Sequence, residues 1–209
     1  MRIIIVIILF FISKNILGRC DEYVNKSYDK FTKTTKVNFK KYLIINSASN
    51  LQFSIKPTEL NWTETSVGDF KINTNGRIDD KLTLRITNNS SNSIFVKNLS
   101  AILLFDDGST VKMYYQNYTK GSSIEIKNSG YNIFYLSTWE SAVVEAYQND
   151  ERTKRYNEFV NCIKNKKLVA IRFYSISNME KGYEWLDNSI DIDIPITDQS
   201  YFKTIYDCL

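Results

Sequence analysis

Residues 81–115, KLTLRITNNSSNSIFVKNLSAILLFDDGSTVKMYY, carry the strongest signal for how this chain folds. Leu82, Leu84 and Ile86 alternate with Thr83 and Arg85, the period-two pattern of a strand buried on one face. Asn88 to Ser93 is a run of turn residues, and Ile94 to Phe105 and Thr110 to Tyr115 read as the next two strands. Between those two, Asp106-Asp107-Gly108-Ser109 is a hairpin turn with Gly108 available for positive φ. Turn chemistry accounts for both aspartates, because no calcium-loop spacing with a distant Glu follows them. Ser123 to Ile126 and Tyr131 to Leu136 add two short strands around Asn128-Ser129-Gly130. The middle third is therefore predicted to be an antiparallel meander.

Working outward, Phe31 to Val37 suggests an extended strand that Tyr42 to Ile45 continues. Leu51 to Ile55 alternates before Pro57 ends the pattern. On the other side the period changes. Ser137-Thr138-Trp139-Glu140 has capping-box spacing, and Tyr156, Phe159, Val160 and Ile163 follow at helical intervals, placing one or two helices over about residues 139–165. Leu168 to Ser175 returns to strand, as do Ile190, Ile192 and Ile194 before Pro195. Thr197 and Asp198 then cap a last helix with Tyr201, Phe202, Ile205, Cys208 and Leu209 as its buried stripe. These elements make an α+β fold: an antiparallel β-sheet or small β-sandwich with a central and a C-terminal helix, residues 20–209 forming a single domain.

Missing residue types exclude much chemistry. The 209 residues contain no histidine, which removes Ser-His-Asp and Cys-His nucleophiles, histidine-ligated metals and imidazole proton shuttles. No P-loop or GxGxxG pattern occurs among the 7 glycines, and no cofactor or metal is expected. Ile 26, Asn 21, Lys 20 and Tyr 14 are the residues of A/T-rich codons, so their enrichment says little about function. The same caution applies to six N-x-S/T sequons, at Asn25, Asn61, Asn88, Asn89, Asn98 and Asn117.

Residues 1–19 read as a signal peptide. Arg2 precedes an unbroken apolar run from Ile3 to Ile12, too short for the roughly 20 residues of a membrane-spanning helix, and Ser13-Lys14-Asn15 ends it. The expected location is exported: periplasmic, outer-membrane-associated or secreted. Leu17-Gly18-Arg19-Cys20 also admits lipidation at Cys20, although Arg19 is large and charged where a lipobox has a small residue. Membrane attachment is expected only if that lipid is present. Cleavage after residue 19 removes Arg2, Lys14 and Arg19 and leaves 24 basic against 23 acidic residues. The footprint of a nucleic-acid binder is absent, and the Lys164, Lys166 and Lys167 cluster reads as a solvated helix terminus. Cys20, Cys162 and Cys208 allow one intramolecular disulfide. Cys162 with Cys208 is the preferred pair and Cys20 with Cys208 the second choice.

Two groups are candidate sites. Asp191 and Asp193, two apart on a strand, project from one face about 7 Å apart, a separation in the range of acid and base carboxylates in glycoside hydrolases. The plain alternative is the polar face of an amphipathic strand. Trp62, Trp139, Trp185 and the Tyr114, Tyr115, Tyr118 cluster supply aromatic faces for a sugar or peptide. Tyr115 shares strand parity with Met113 and Val111 and points inward, which leaves Tyr114, Tyr118 and Trp139 as the ligand-binding candidates.

Cys20-Asp21-Glu22-Tyr23-Val24-Asn25 with Asp29-Lys30-Phe31-Thr32, the Phe105 to Ser109 turn, Ala170-Ile171-Arg172, and Tyr201-Phe202-Lys203 to Cys208-Leu209 resemble a group of small uncharacterised exported proteins of Bacteroidota. The resemblance covers most of the chain after the leader and implies an envelope or secreted location, without a particular chemistry. The functional expectation is a non-catalytic module that binds a protein or glycan at the cell envelope. Two rivals are a histidine-free hydrolase using Asp191 or Asp193 with Glu184 or Glu140, and an exported immunity or inhibitor protein.

Overall fold

A computed structural model of the chain describes residues 20–46, 50–58, 60–63, 65–67, 70–72, 81–115, 123–138, 149–178 and 194–208. The leader, residues 139–148 and residues 179–193 lie outside that set. The chain falls into two compact units, one of residues 1–41, 59–77 and 205–209, the other of residues 42–58 and 78–204.

In the first unit, a helical turn at residues 20–23 leads into β1 (Val24–Asp29) and β2 (Thr34–Phe39), which pair antiparallel from Val24 opposite Phe39 to Asp29 opposite Thr34. Residues 31–37 thus form a hairpin turn and the start of a strand, where the sequence suggested one continuous strand. The reason is local: the Asp29 carboxylate accepts the Phe31 N–H at 2.9 Å, and Lys33 adopts φ 51°, reversing the chain. β1 escapes pattern reading because only Val24 of its six residues is buried. β5 (Leu60–Thr63) pairs with β2 on its other side, and β6 (Thr65–Val67) pairs with β7 (Phe70–Ile72). A disulfide joins Cys20 to Cys208, whose Cα atoms are 5.5 Å apart.

The second unit is a nine-stranded antiparallel sheet. Its strands are β3 (Leu43–Asn46), β4 (Leu51–Pro57), β8 (Lys81–Asn88), β9 (Ile94–Phe105), β10 (Thr110–Tyr115), β11 (Ile124–Ile126), β12 (Tyr131–Ser137), β13 (Leu168–Asn178) and β14 (Ile194–Pro195). The order is β14-β13-β9-β10-β12-β8-β4-β3, with β11 beside β9. The alternating apolar residues face one another inside: Leu82, Leu84, Ile86, Leu103, Met113, Phe134 and Leu136 have essentially no exposed surface. The edge strands β14 and β3 approach each other, and Phe53 of β4 stacks on Phe173 of β13 with ring centroids 4.4 Å apart. The sheet curls into a near-barrel filled by its own side chains.

The strand order is not the expected meander. β8 lies between β12 and β4, and the chain leaves it by a corner that carries it past two strands to β9, a Greek-key order. Asn88 pins this corner from a fully buried position. Its amide donates to the carbonyls of Asn92 (2.7 Å) and Ile126 (3.0 Å), while its Oδ1 accepts from the Ser90 N–H and hydroxyl. Helix α1 (Asn149–Asn165) buries Phe159, Cys162 and Ile163, and α2 (Tyr201–Tyr206) buries Tyr201, Phe202, Ile205 and Tyr206, supplying the central and C-terminal helices of the α+β class.

Candidate functional site

Tyr114 is half-buried on β10, with the Lys112 ammonium 5.0 Å from its ring centroid. Tyr115 points inward as its parity requires, edge-on to Phe134 at 5.2 Å, and burial pushes its phenol pKa up. Tyr118, Trp139, Glu140, Glu184, Asp191 and Asp193 lie outside the described residues.

The cysteine pairing is corrected. Cys208 is bonded to Cys20, not to Cys162, which is free and buried on α1 with its sulfur 3.7 Å from the Ser109 hydroxyl. Cys162 lies on α1, but Cys208 falls in the turn after α2 and its sulfur is bonded to Cys20. Spacing along the chain gave no sign of this.

The lysine cluster is also more than a solvated terminus. Lys166 Nζ lies 2.7 Å from Asp107 Oδ2 and donates to Ser109 Oγ at 2.9 Å, while Ser109 donates to Asp107 Oδ1 at 2.6 Å. Next to it, the Lys167 N–H bonds Asp106 Oδ1 and the Asp106 N–H bonds the Lys167 carbonyl. The Lys166 ammonium, then the Ser109 hydroxyl and N–H, hold the Asp107 carboxyl far below the usual range, and Asp107 in turn raises the Lys166 pKa. A serine whose hydroxyl already donates to a carboxylate, beside a lysine held protonated, has no general base. This cluster ties the β9–β10 turn to the C-terminal end of α1.

The outward face of β3, β4, β8 and β12 has a different character. Cross-strand register sets three rows on it: Ile44, Ser54, Arg85 and Ile133; Gln52, Thr87 and Tyr131; Lys56, Thr83 and Tyr135. The Arg85 guanidinium lies between two aromatic rings, 5.3 Å from the centroid of Tyr42 and 5.7 Å from that of Tyr131, and the Lys56 ammonium sits 4.7 Å from the Tyr42 centroid. Tyr131 is 64% exposed, Ile44 52%, Tyr135 51% and Ile133 39%. No residue of these four strands is an Asp or Glu, so what the strands themselves present on this face is aromatic rings, apolar and uncharged polar side chains and the cations Lys56 and Arg85.

Two polar atoms in its middle row are buried without a hydrogen-bond partner, Ser54 Oγ and Arg85 Nε, which belong to directly paired residues. Each such group costs about 1–3 kcal/mol. The same guanidinium that lies over the Tyr42 and Tyr131 rings thus has an Nε without an acceptor. The alternation of β8 places Arg85 outward, but Tyr42 and Tyr131 reach it only through pairing with strands distant in sequence. Aromatic enrichment had pointed to β10 instead.

Elsewhere, the β1–β2 hairpin carries an open hollow of about 380 Å³ lined by Ser27, Tyr28, Asp29, Thr32, Thr34 and Lys36, with Phe31 wholly exposed in the turn. Among the described residues no group of three or more Cys, Asp or Glu is placed to hold a metal ion, and no helix is long and apolar enough to cross a membrane. No family model, curated protein or solved structure matches the chain.

Proposed function

We propose that this protein is a non-catalytic binding module working outside the cytoplasm, at the envelope or secreted, and that the outward face of β3, β4, β8 and β12 is its contact surface. The observation that carries this reading is the Arg85 guanidinium held between Tyr42 and Tyr131 on strands that contain no Asp or Glu. Tyrosine and arginine give large contact areas with polar tips, and Arg85 and Tyr131 sit on paired strands, so little side-chain freedom is lost on binding. Support for the compartment comes from the Cys20–Cys208 disulfide, a bond that persists in oxidising surroundings, and from the apolar run at residues 3–12. A Cys20 sulfur engaged in that bond has no thiol for a lipid, which weighs towards an unlipidated chain.

The test is retention of solubilised envelope and extracellular material, protein and polysaccharide, on immobilised protein, compared with the Tyr131→Ala/Tyr135→Ala double variant. Retention lost in the variant is the expected result, and equal retention by both would remove this face. Turnover of a generic ester, glycoside or peptide substrate that disappears in Asp191→Asn would replace the binding reading with carboxylate catalysis.

A further inference from the structure

Independently of that sheet face, we infer that the tip of the β1–β2 hairpin is an insertion point for a membrane surface carrying anionic phospholipid. From Asn25 to Lys36 no residue is buried, so this end of the hairpin reaches past the packed residues Val24, Val37 and Phe39 at its base. At the tip Phe31 is 100% exposed. The turn has no use for its ring: the reversal comes from Asp29, which accepts the Phe31 N–H, and from Lys33 at φ 51°.

One exposed apolar side chain is ordinary on a protein surface. What distinguishes this one is the order of the residues around it. Lys30 and Lys33 flank the ring and are exposed, and among the described residues neither has an ion-pair partner. Further back Tyr28, 49% exposed, stands opposite Thr35, and Ser27, Thr32 and Thr34 line the hollow beside it with Asp29 and Lys36. A ring at the apolar boundary, ammonium groups at the phosphates, and tyrosine with hydroxyls among the headgroups is the layering of an interfacial segment.

Charge favours the same occupant. Residues 26–36 hold Lys26, Lys30, Lys33 and Lys36 against one acid, Asp29, whose carboxylate is occupied in holding the turn. A protein pocket enclosing Phe31 has to desolvate the ammonium groups on either side of it. A bilayer takes the ring while the long lysine stems keep both ammonium groups in water at the phosphates. One ring and a few lysines make a reversible attachment, and it needs no lipid on Cys20, whose sulfur is in the disulfide.

The test is flotation of the protein, made in an exporting host, with vesicles of phosphatidylcholine alone and of phosphatidylcholine mixed with phosphatidylglycerol, in about 50 and about 300 mM salt. Binding to the anionic vesicles that weakens at the higher salt is expected. It should fall about tenfold in Phe31→Ser, and about fivefold for each lysine removed in Lys30→Gln/Lys33→Gln. All three positions are exposed, so these variants should melt with wild type, and Tyr131→Ala/Tyr135→Ala should float as wild type does. No binding to anionic vesicles, or equal binding by Phe31→Ser, overturns the inference. Equal binding to the neutral vesicles overturns the anionic lipid. Phe31-dependent retention of an envelope protein, with no flotation, overturns the membrane and gives the hairpin to a protein partner.

Discussion

The Lys166 ammonium lies 2.7 Å from the Asp107 carboxylate, joining the residue that follows the central helix to the β9–β10 hairpin turn 59 residues earlier in the chain. Its pH dependence follows from the two shifts. The Asp107 carboxyl is lowered from an ordinary 3.8, so its contribution to stability is present above about pH 4 and is lost as pH falls below that. Lys166 is raised from 10.5, so its contribution is present below that value and is lost as pH rises above it. Thermal melts of Asp107→Asn are expected to lie below wild type by a constant margin across neutral pH, the gap closing in acid and narrowing in high salt because the pair is partly exposed. A gap unchanged down to pH 2 would mean that charge is not what the contact contributes.

Thiol chemistry separates the three cysteines. Alkylation of the native protein is expected to add nothing rapidly, since Cys162 is 5% exposed and the other two are bonded. After unfolding without reductant one label should appear, and after reduction three. Closing a loop across 188 positions constrains the unfolded chain by about 5 kcal/mol in the chain-entropy account, an upper figure. Cys20→Ser and Cys208→Ser should therefore lower the melting temperature by similar amounts, with Cys162→Ser behaving differently. Loss of the disulfide in Cys162→Ser would refute the assignment.

The stacked pair inside the near-barrel is open to a double-mutant cycle. Phe53→Ala is expected to cost about 3–5 kcal/mol in denaturant unfolding, because Phe53 is 2% exposed and leaves a cavity. With Phe173→Ala, the cycle should show a coupling of about 0.5–1.5 kcal/mol. A coupling near zero would mean that the two rings do not touch in solution.

Ser54 gives the opposite expectation. Its buried hydroxyl has no partner, so Ser54→Ala removes an unsatisfied group and should leave stability unchanged or slightly raised in the same unfolding experiment. A loss above about 1 kcal/mol would show that the hydroxyl has a partner in solution.

Much of the fold was legible because strand and helix burial is periodic. Leu82, Leu84 and Ile86, Val111 and Met113, and Phe159 and Ile163 all lie inside as their spacing required. The exposed strand β1 was missed because it buries one residue and has no period to read. The meander was wrong because Asn88 looks like any turn asparagine until its amide is seen bonded to the Ile126 carbonyl. The outward face was not read as a site at all. Tyr42, Lys56, Arg85 and Tyr131 stand tens of residues apart, and no local pattern unites them.

The sequence by itself determined the class of the fold, the inward residues of each strand, the hairpin turn at Gly108 and the exclusion of imidazole chemistry, because each depends on neighbouring residues or on which residue types are present. The tertiary structure alone decided the strand order, the partner of Cys208, the anchoring of Lys166 and the placing of Arg85 beside Tyr42 and Tyr131. Each of these joins residues far apart in the chain, and only antiparallel pairing and helix packing bring them within reach.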